Sequence, residues 1–277
     1  MRSPYQPTSG GISKQNRRLL AVLHQRARGP FGAAEAAEML GVDRARASDL
    51  LRYLARRGWL ARVRRGLYVA VPLEAQRPGE WYEDPWIVAD RIFTPCYVGG
   101  WSAAEHWGLT DQLFRELIVV TARRVRHRRV EIQGTPMRVK VVGEARLFGT
   151  TPVWRGQLRV AVSDPSRTIV DLLDEPALGG GIRHVAEMVE QYFAGELRAD
   201  EQLLDYAQRL GNRTVFKRLG YLLESLGVDA PELVAACLNR QSSGITDLDP
   251  AVPATGHIST RWNLRLNVTI TGTGSAA

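Results

Sequence analysis

Apolar positions recur at helical spacing near the start of the chain. Ile12, just ahead of residues 13–27, and Leu19, Leu20 and Leu23 within them share one face, and the run stops at Gly29-Pro30, a pair that breaks helices. A short Ala-rich segment, Ala33–Leu40, ends at Gly41, and Val42 and Asp43 lead into a further helical run over residues 44–57. Helix, glycine turn, helix is the helix-turn-helix outline. In the second of these helices Leu50, Leu51 and Leu54 face a core, while Arg44, Arg46, Ser48 and Arg52 fall elsewhere on the surface, with Asp43 placed to cap the first turn. After Gly58, residues 59–63 and 67–70 read as two short strands joined by Arg64, Arg65 and Gly66, a hairpin with a basic tip. The pattern predicts a winged helix-turn-helix domain over residues 1–70.

Residues 71–85 carry three prolines, a glycine and four acids, which suits a linker. From residue 86 to 277 the periodicity predicts a larger mixed α/β domain, so the chain as a whole belongs to the α+β class. Ser102 stands three residues before Glu105, a capping-box spacing that predicts a short helix containing His106 and Trp107. Residues 117–121, 130–133, 137–142 and 157–162 are rich in β-branched side chains and imply a small mixed or antiparallel sheet. Residues 164–173, 182–193, 200–210 and 212–226 have apolar positions three and four apart and read as helices. Residues 261–270 alternate like a late strand, and 271–277 read as a frayed tail.

Charge changes the picture more than composition does. The net charge is +8, yet the first seventy residues hold fourteen Arg or Lys against four Asp or Glu, and the remainder holds twenty-three against twenty-five. A basic head on a near-neutral body is an argument about partners, because a concentrated positive field draws in polyanions. Double-stranded DNA is the expected partner of residues 1–70. The 44% apolar and 24% charged content is ordinary for a globular protein, and 277 residues suit two cores. Cys96 and Cys237 match no metal spacing or disulfide framework, which fits a reducing, cytoplasmic setting. No apolar run approaches the roughly 20 residues needed to cross a bilayer. Residues 1–11 lack a signal-peptide core, so the whole chain is expected to be the mature protein, with no membrane partner.

A recognition helix lies in the major groove with its N-terminal residues near base edges, so Arg44, Arg46 and Ser48 are the expected base or phosphate contacts, joined by Arg52. Arg62, Arg64 and Arg65 on the wing would grip backbone or minor groove; the competing reading is a solvated basic face. Lys14, Arg17 and Arg18 either add phosphate contacts, raising affinity without sequence preference, or serve solubility. The run Arg123, Arg124, Arg126, His127, Arg128, Arg129 is dense enough to bind phosphate, or is an exposed hairpin tip between two strands.

Catalytic patterns fail on inspection. Gly100, Ser102 and Ala104 approach a nucleophile elbow without an identifiable acid and base, and Ser102 reads as a cap. Val98, Gly99 and Gly100 followed by Asp111 approach a nucleotidyltransferase opening, but the position for a second carboxylate is Leu113. Gly179, Gly180 and Gly181 precede a helix with no Gly-Lys-Ser or Gly-Lys-Thr after them, so they read as a flexible connection. His24, His106, His127, His184 and His257 have no His or Cys partner at zinc spacing. No catalytic residue, metal site or cofactor is expected.

Three stretches carry a family resemblance: Ser163-Asp164-Pro165-Ser166-Arg167-Thr168-Ile169-Val170-Asp171, then Lys217-Arg218-Leu219-Gly220-Tyr221-Leu222-Leu223-Glu224, then the segment from Trp262 to Asn267. Their order and spacing, with Ser102-Ala103-Ala104 and Gly108-Leu109 upstream, resemble the AbiEi-type antitoxins and regulators of bacterial abortive-infection systems over most of the chain. Where that family often has an acid before the Arg-Thr pair, this chain has Ser166. The resemblance implies a winged-helix head that represses its own operon from its promoter, and a C-terminal domain that neutralises a nucleotidyltransferase-type toxin in a type IV toxin–antitoxin pair. Asp164, Arg167, Thr168, Asp171, Arg218, Tyr221, Glu224, Trp262 and Asn267 then belong either to an antitoxin surface or to a structural motif. Arg167 and Asp171, four apart on a helix, can pair with each other or with the sheet, and a buried network competes with a toxin-facing role. The alternatives are a plain regulator with a ligand- or partner-sensing body and a DNA-targeted nuclease.

Overall fold

The computed structural model describes residues 12–72, 75 and 81–270. The readings of residues 1–11, of most of the 71–85 linker and of the 271–277 tail lie outside the described residues. The chain divides into two compact units: Met1–Thr94 with Val130–Pro136 and Trp154–Val160, and Pro95–Arg129 with Met137–Val153 and Ala161–Ala277.

In the first unit, α1 (Lys14–Arg26), α2 (Ala33–Leu40), α3 (Arg44–Arg56), β1 (Leu60–Arg64) and β2 (Leu67–Ala70) follow the predicted order. Gly41 closes α2 at φ 64°, a left-handed conformation that glycine adopts without Cβ strain. Leu23, Ala36, Ala47, Leu51 and Leu54 are fully buried and join the three helices in one core with Phe31, Leu60 and Tyr68. Phe31 and Tyr68 exchange both backbone hydrogen bonds, at 2.7 and 2.9 Å. That bridge, in the turn between α1 and α2, adds a third extended segment to the β1–β2 hairpin and completes a winged helix.

One further helix of this unit, α4 (Pro85–Phe93), was not legible as periodicity. Asp84 accepts the Trp86 N–H at 2.8 Å and Pro85 occupies the first turn, where its missing N–H costs nothing. Six of its nine residues are buried, so no polar stripe separates two faces. Arg91 fastens it by donating to the Pro30 carbonyl at 2.9 Å and pairing with Glu35, and the Arg155 guanidinium lies 3.9 Å from the centre of the Trp86 ring.

A mixed six-stranded sheet runs in the order β5-β6-β4-β3-β8-β7, from β3 (Cys96–Val98), β4 (Leu117–Thr121), β5 (Arg129–Ile132), β6 (Thr135–Val141), β7 (Thr150–Arg155) and β8 (Leu158–Ser163). β3 is antiparallel to β4 and parallel to β8, and β4 is parallel to β6. All five residues of β4 are buried. In the second unit α5 (Gly100–His106), α6 (Pro165–Asp174), α7 (Ile182–Ala194), α8 (Asp200–Leu210), α9 (Thr214–Ser225) and α10 (Pro231–Arg240) gather around Leu172, Val185, Val189, Leu219 and Leu222. Among the described residues no helix is long and apolar enough to cross a membrane.

Several sequence readings need correction. Ser102 does not cap α5, whose N-cap is Gly99; it is buried inside the helix and its hydroxyl accepts the Ile118 N–H at 3.0 Å. Residues 123–129 are not a hairpin tip. β4 neighbours β6 rather than β5, so this segment crosses to β5 and the hairpin turn is Gln133-Gly134, with φ of 49° and 75°. Gly179–Gly181 is a packed turn rather than a flexible connection: a Cβ on Gly179 would lie 2.7 Å from Leu172, and Asp249 accepts the Ile182 N–H at 2.9 Å, filling the start of α7 with a carboxylate of the chain itself. The late strand shrinks to β11 (Leu264–Arg265), between β10 (Ile258–Ser259) and β9 (Thr246–Asp247).

Candidate nucleic-acid interface

Helix α3, the expected recognition helix, is set by its cap. The Asp43 carboxylate accepts the Arg46 N–H at 2.8 Å, fixing the first turn, while Ala47, Leu50, Leu51 and Leu54 at i, i+3, i+4 and i+7 bury one face. The opposite arc is then forced outward. Arg44, Arg46 and Arg52 are exposed and Ser48 is half-buried. Arg26 donates to the Met39 carbonyl at 2.9 Å, tying the end of α1 to α2. α1 starts at Ser13, whose hydroxyl accepts the Asn16 N–H at 3.2 Å, and it exposes Lys14, Arg17 and Arg18.

The wing is an antiparallel hairpin in which Leu60 faces Ala70 and Arg62 faces Tyr68. Val63, Leu67 and Val69 are buried, which leaves Arg62, Arg64 and Arg65 outward. Gly66 turns the tip at φ 78°. Every basic residue singled out from the sequence in this head is thus exposed. One feature of the arc escaped that reading: Asp49, the one acid of α3, pairs with Arg52. The signal was the acid–base spacing of three.

The body's motif residues are placed differently. Asp164 caps α6 by accepting the Arg167 N–H at 2.8 Å, and its other oxygen accepts the Tyr206 hydroxyl at 2.9 Å. Arg167 donates to Asp171 and to the Tyr97 hydroxyl, each at 3.0 Å, and Tyr97 donates to Asp171 at 2.7 Å. Burial, then the Asp171 charge, pushes the Tyr97 phenol well above its ordinary value, so it stays a neutral donor. Thr168 returns its hydroxyl to the Asp164 carbonyl at 2.8 Å. Arg218 is buried and spends its donors on the Leu248, Leu173, Asp174 and Asp247 carbonyls. Glu224 accepts from Trp262 at 2.6 Å and Arg261 at 2.8 Å, and Asn267 donates to the Asp249 carbonyl at 2.8 Å. Tyr221 and Asn267 are half-buried, and Glu224 alone of this set is exposed.

Residues 123, 124 and 126–129 are exposed as well. Their segment is anchored at both ends, by Ala122 donating to the Pro95 carbonyl at 3.1 Å and by the Arg128 carbonyl accepting the Val139 N–H at 2.7 Å. Among the described residues no group of three or more His, Cys, Asp or Glu could hold a metal ion.

Residues 17–71, which span the winged helix, match a family described as transcriptional regulator, AbiEi antitoxin. The crystal structure of the RV2827C protein from Mycobacterium tuberculosis is similar to this chain with a TM-score of 0.64 and 20% sequence identity, covering 92% of each chain, a likeness of fold. No curated protein matches the chain.

Proposed function

We propose that this chain is a sequence-specific DNA-binding autorepressor that also serves as the antitoxin of a type IV toxin–antitoxin pair, with no catalysis of its own. The observation that carries the reading is the head: a capped recognition helix whose outer arc exposes Arg44, Arg46 and Arg52, beside a wing exposing Arg62, Arg64 and Arg65, within the segment that matches the AbiEi regulators. In this reading Arg44, Arg46 and Ser48 contact base edges in the major groove, and the wing arginines, with Lys14, Arg17 and Arg18, neutralise phosphates. Residues 1–70 act as the DNA-binding domain, 71–85 as the linker and 86–277 as the antitoxin-like domain. The partner toxin is of the nucleotidyltransferase type, and the setting is cytoplasmic.

Two experiments test this. A gel-shift titration with the chain's own promoter should give tighter binding than an unrelated duplex of equal length. Co-expression with an adjacent nucleotidyltransferase-like gene should relieve that gene's toxicity. Promoter binding without relief of toxicity favours a plain regulator with a sensing body. The burial of Arg167, Asp171 and Arg218 supports that second reading, since these residues hold the fold together and present little to a partner.

A further inference from the structure

Asp49 sits where a DNA-facing helix has least use for a carboxylate. It lies in the middle of the exposed arc of α3, with its side chain 72% exposed and that of Arg52 63% exposed. Beyond the first turn it gains nothing from the helix dipole, and aspartate is a poor helix former. Exposed ion pairs of this kind contribute little to stability. Against phosphates the charge is repulsive, so in a surface selected only for affinity it would be a defect. The pair's geometry supplies a different use: one carboxylate oxygen holds the Arg52 guanidinium, and the other makes no hydrogen bond among the described residues.

We propose that Asp49 is a specificity-determining residue of the recognition helix: its carboxylate holds Arg52 toward a guanine edge and itself accepts the N4 amino group of a neighbouring cytosine. This rests on the reading of the head as a DNA-binding domain. Guanine offers N7 and O6 to a guanidinium and cytosine offers an N4 donor to a carboxylate, with adenine N6 the one other amino donor in the major groove. A duplex without that step meets an unpaired acid, which lowers affinity for DNA in general and widens the gap to the operator. Arg52 acts on the base and Asp49 acts both directly and as its positioning residue.

The test uses the full chain, its own promoter duplex, an unrelated duplex of equal length, and selection from a random duplex pool. Asp49→Ala should bind the unrelated duplex several-fold more tightly, with a salt slope steeper by about one as Arg52 is released to a phosphate. The ratio of promoter to unrelated affinity should fall about tenfold, with the selected G·C preference flattened at one or two adjacent pairs. Asp49→Glu keeps the charge but moves the carboxylate: affinity for the unrelated duplex should hold while the ratio falls. Thermal melts of both variants should match the wild type, since the side chain is exposed. An Asp49→Ala variant with an unchanged ratio and an unchanged base profile overturns the inference and leaves the head's DNA binding standing. A wild type that binds its promoter no better than the unrelated duplex overturns the reading of the head, and this inference with it.

Discussion

Arg167 and Asp171, one turn apart on α6, form an ion pair at 3.0 Å with side chains 1% and 3% exposed, and the Tyr97 hydroxyl bridges both. Taking both charges out of water is costly, and the pair survives because Asp171 accepts from Arg167 and Tyr97 while Arg167 also donates to the Arg146 carbonyl at 3.1 Å. Its guanidinium further stacks 4.0 Å from the centre of the Phe148 ring. Removing either partner alone strands the other. Asp171→Ala or Arg167→Ala should therefore cost about 3–5 kcal/mol in urea unfolding. A cost below about 1 kcal/mol would show that the network does not hold the body.

At Gly220 the sign of a routine substitution reverses. Glycine to alanine within a helix ordinarily stabilises by about 1 kcal/mol. Here a Cβ would fall 1.9 Å from the Trp262 ring, which is buried against α9. Gly220→Ala should destabilise by about 1–3 kcal/mol through overpacking and shift the tryptophan fluorescence as the indole is displaced. A stabilised variant would mean that Trp262 is not seated on Gly220.

Legibility followed the local rules. Gly41, the Asp43 cap and the 44–57 run announce α2 and α3 because caps and amphipathic spacing are local and the head has one buried side. α4 escaped because the prolines and acids before it read as a linker and because Trp86, Ile87, Val88 and Ala89 are buried in succession, erasing the stripe. β3, with three residues, and the largely exposed β7 are defined by their neighbours in the sheet rather than by alternation. The (i, i+4) spacing of Arg167 and Asp171 was visible, but not the Tyr97 bridge 70 residues away, since nothing in a sequence marks which distant hydroxyl will face a pair. In the head the arginines stand out by their positive charge, whereas Asp49 is an acid whose pairing with Arg52 shows in the folded helix.

Arg46 offers the most direct check on the interface. With its backbone fixed by Asp43, Arg46→Ala should leave the helix intact and weaken promoter binding by about 1–3 kcal/mol if it reads a base. Unchanged affinity in a gel-shift titration would remove Arg46 from the site. Asp43→Ala should instead lower the stability of the head by about 1 kcal/mol through the lost cap.

Salt dependence separates phosphate contacts from base contacts. Each neutralised phosphate adds about 0.9 to the slope of log affinity against log salt, so Arg62→Ala, Arg64→Ala and Arg65→Ala should each flatten the slope by about one if they grip the backbone. They should do so equally on promoter and unrelated duplexes. A wild-type salt series that stays flat would count against phosphate contacts altogether.

Acid should weaken the body through Asp174. Its burial alone would raise the carboxyl, but Lys140 and Asn212, each at 2.7 Å, together with Arg146 hold it below its ordinary value. A carboxyl depressed in the folded state adds stability that is complete above the unfolded value of about 4 and is lost as pH falls through the lower folded value. The stability gap between wild type and Asp174→Asn should thus be widest near neutrality and close below about pH 4. A gap independent of pH would show that the charge of Asp174 contributes nothing.

Lys217 and Arg218 depend on backbone oxygens that arrive late in synthesis. The Lys217 ammonium donates to the Gly244 carbonyl, to the Thr246 hydroxyl at 3.0 Å and to the Asn263 carbonyl at 3.4 Å, and the Arg218 guanidinium takes the Asp247 and Leu248 carbonyls. A nascent chain halted before this stretch leaves the ribosome with two cations in the middle of α9 and no acceptors from that segment. Its winged helix, by contrast, is already complete in sequence. A copy that ends before this stretch would carry a complete winged helix beside an α9 whose two buried cations lack these partners, so the body, not the winged helix, is the part that such a truncation should open to protease.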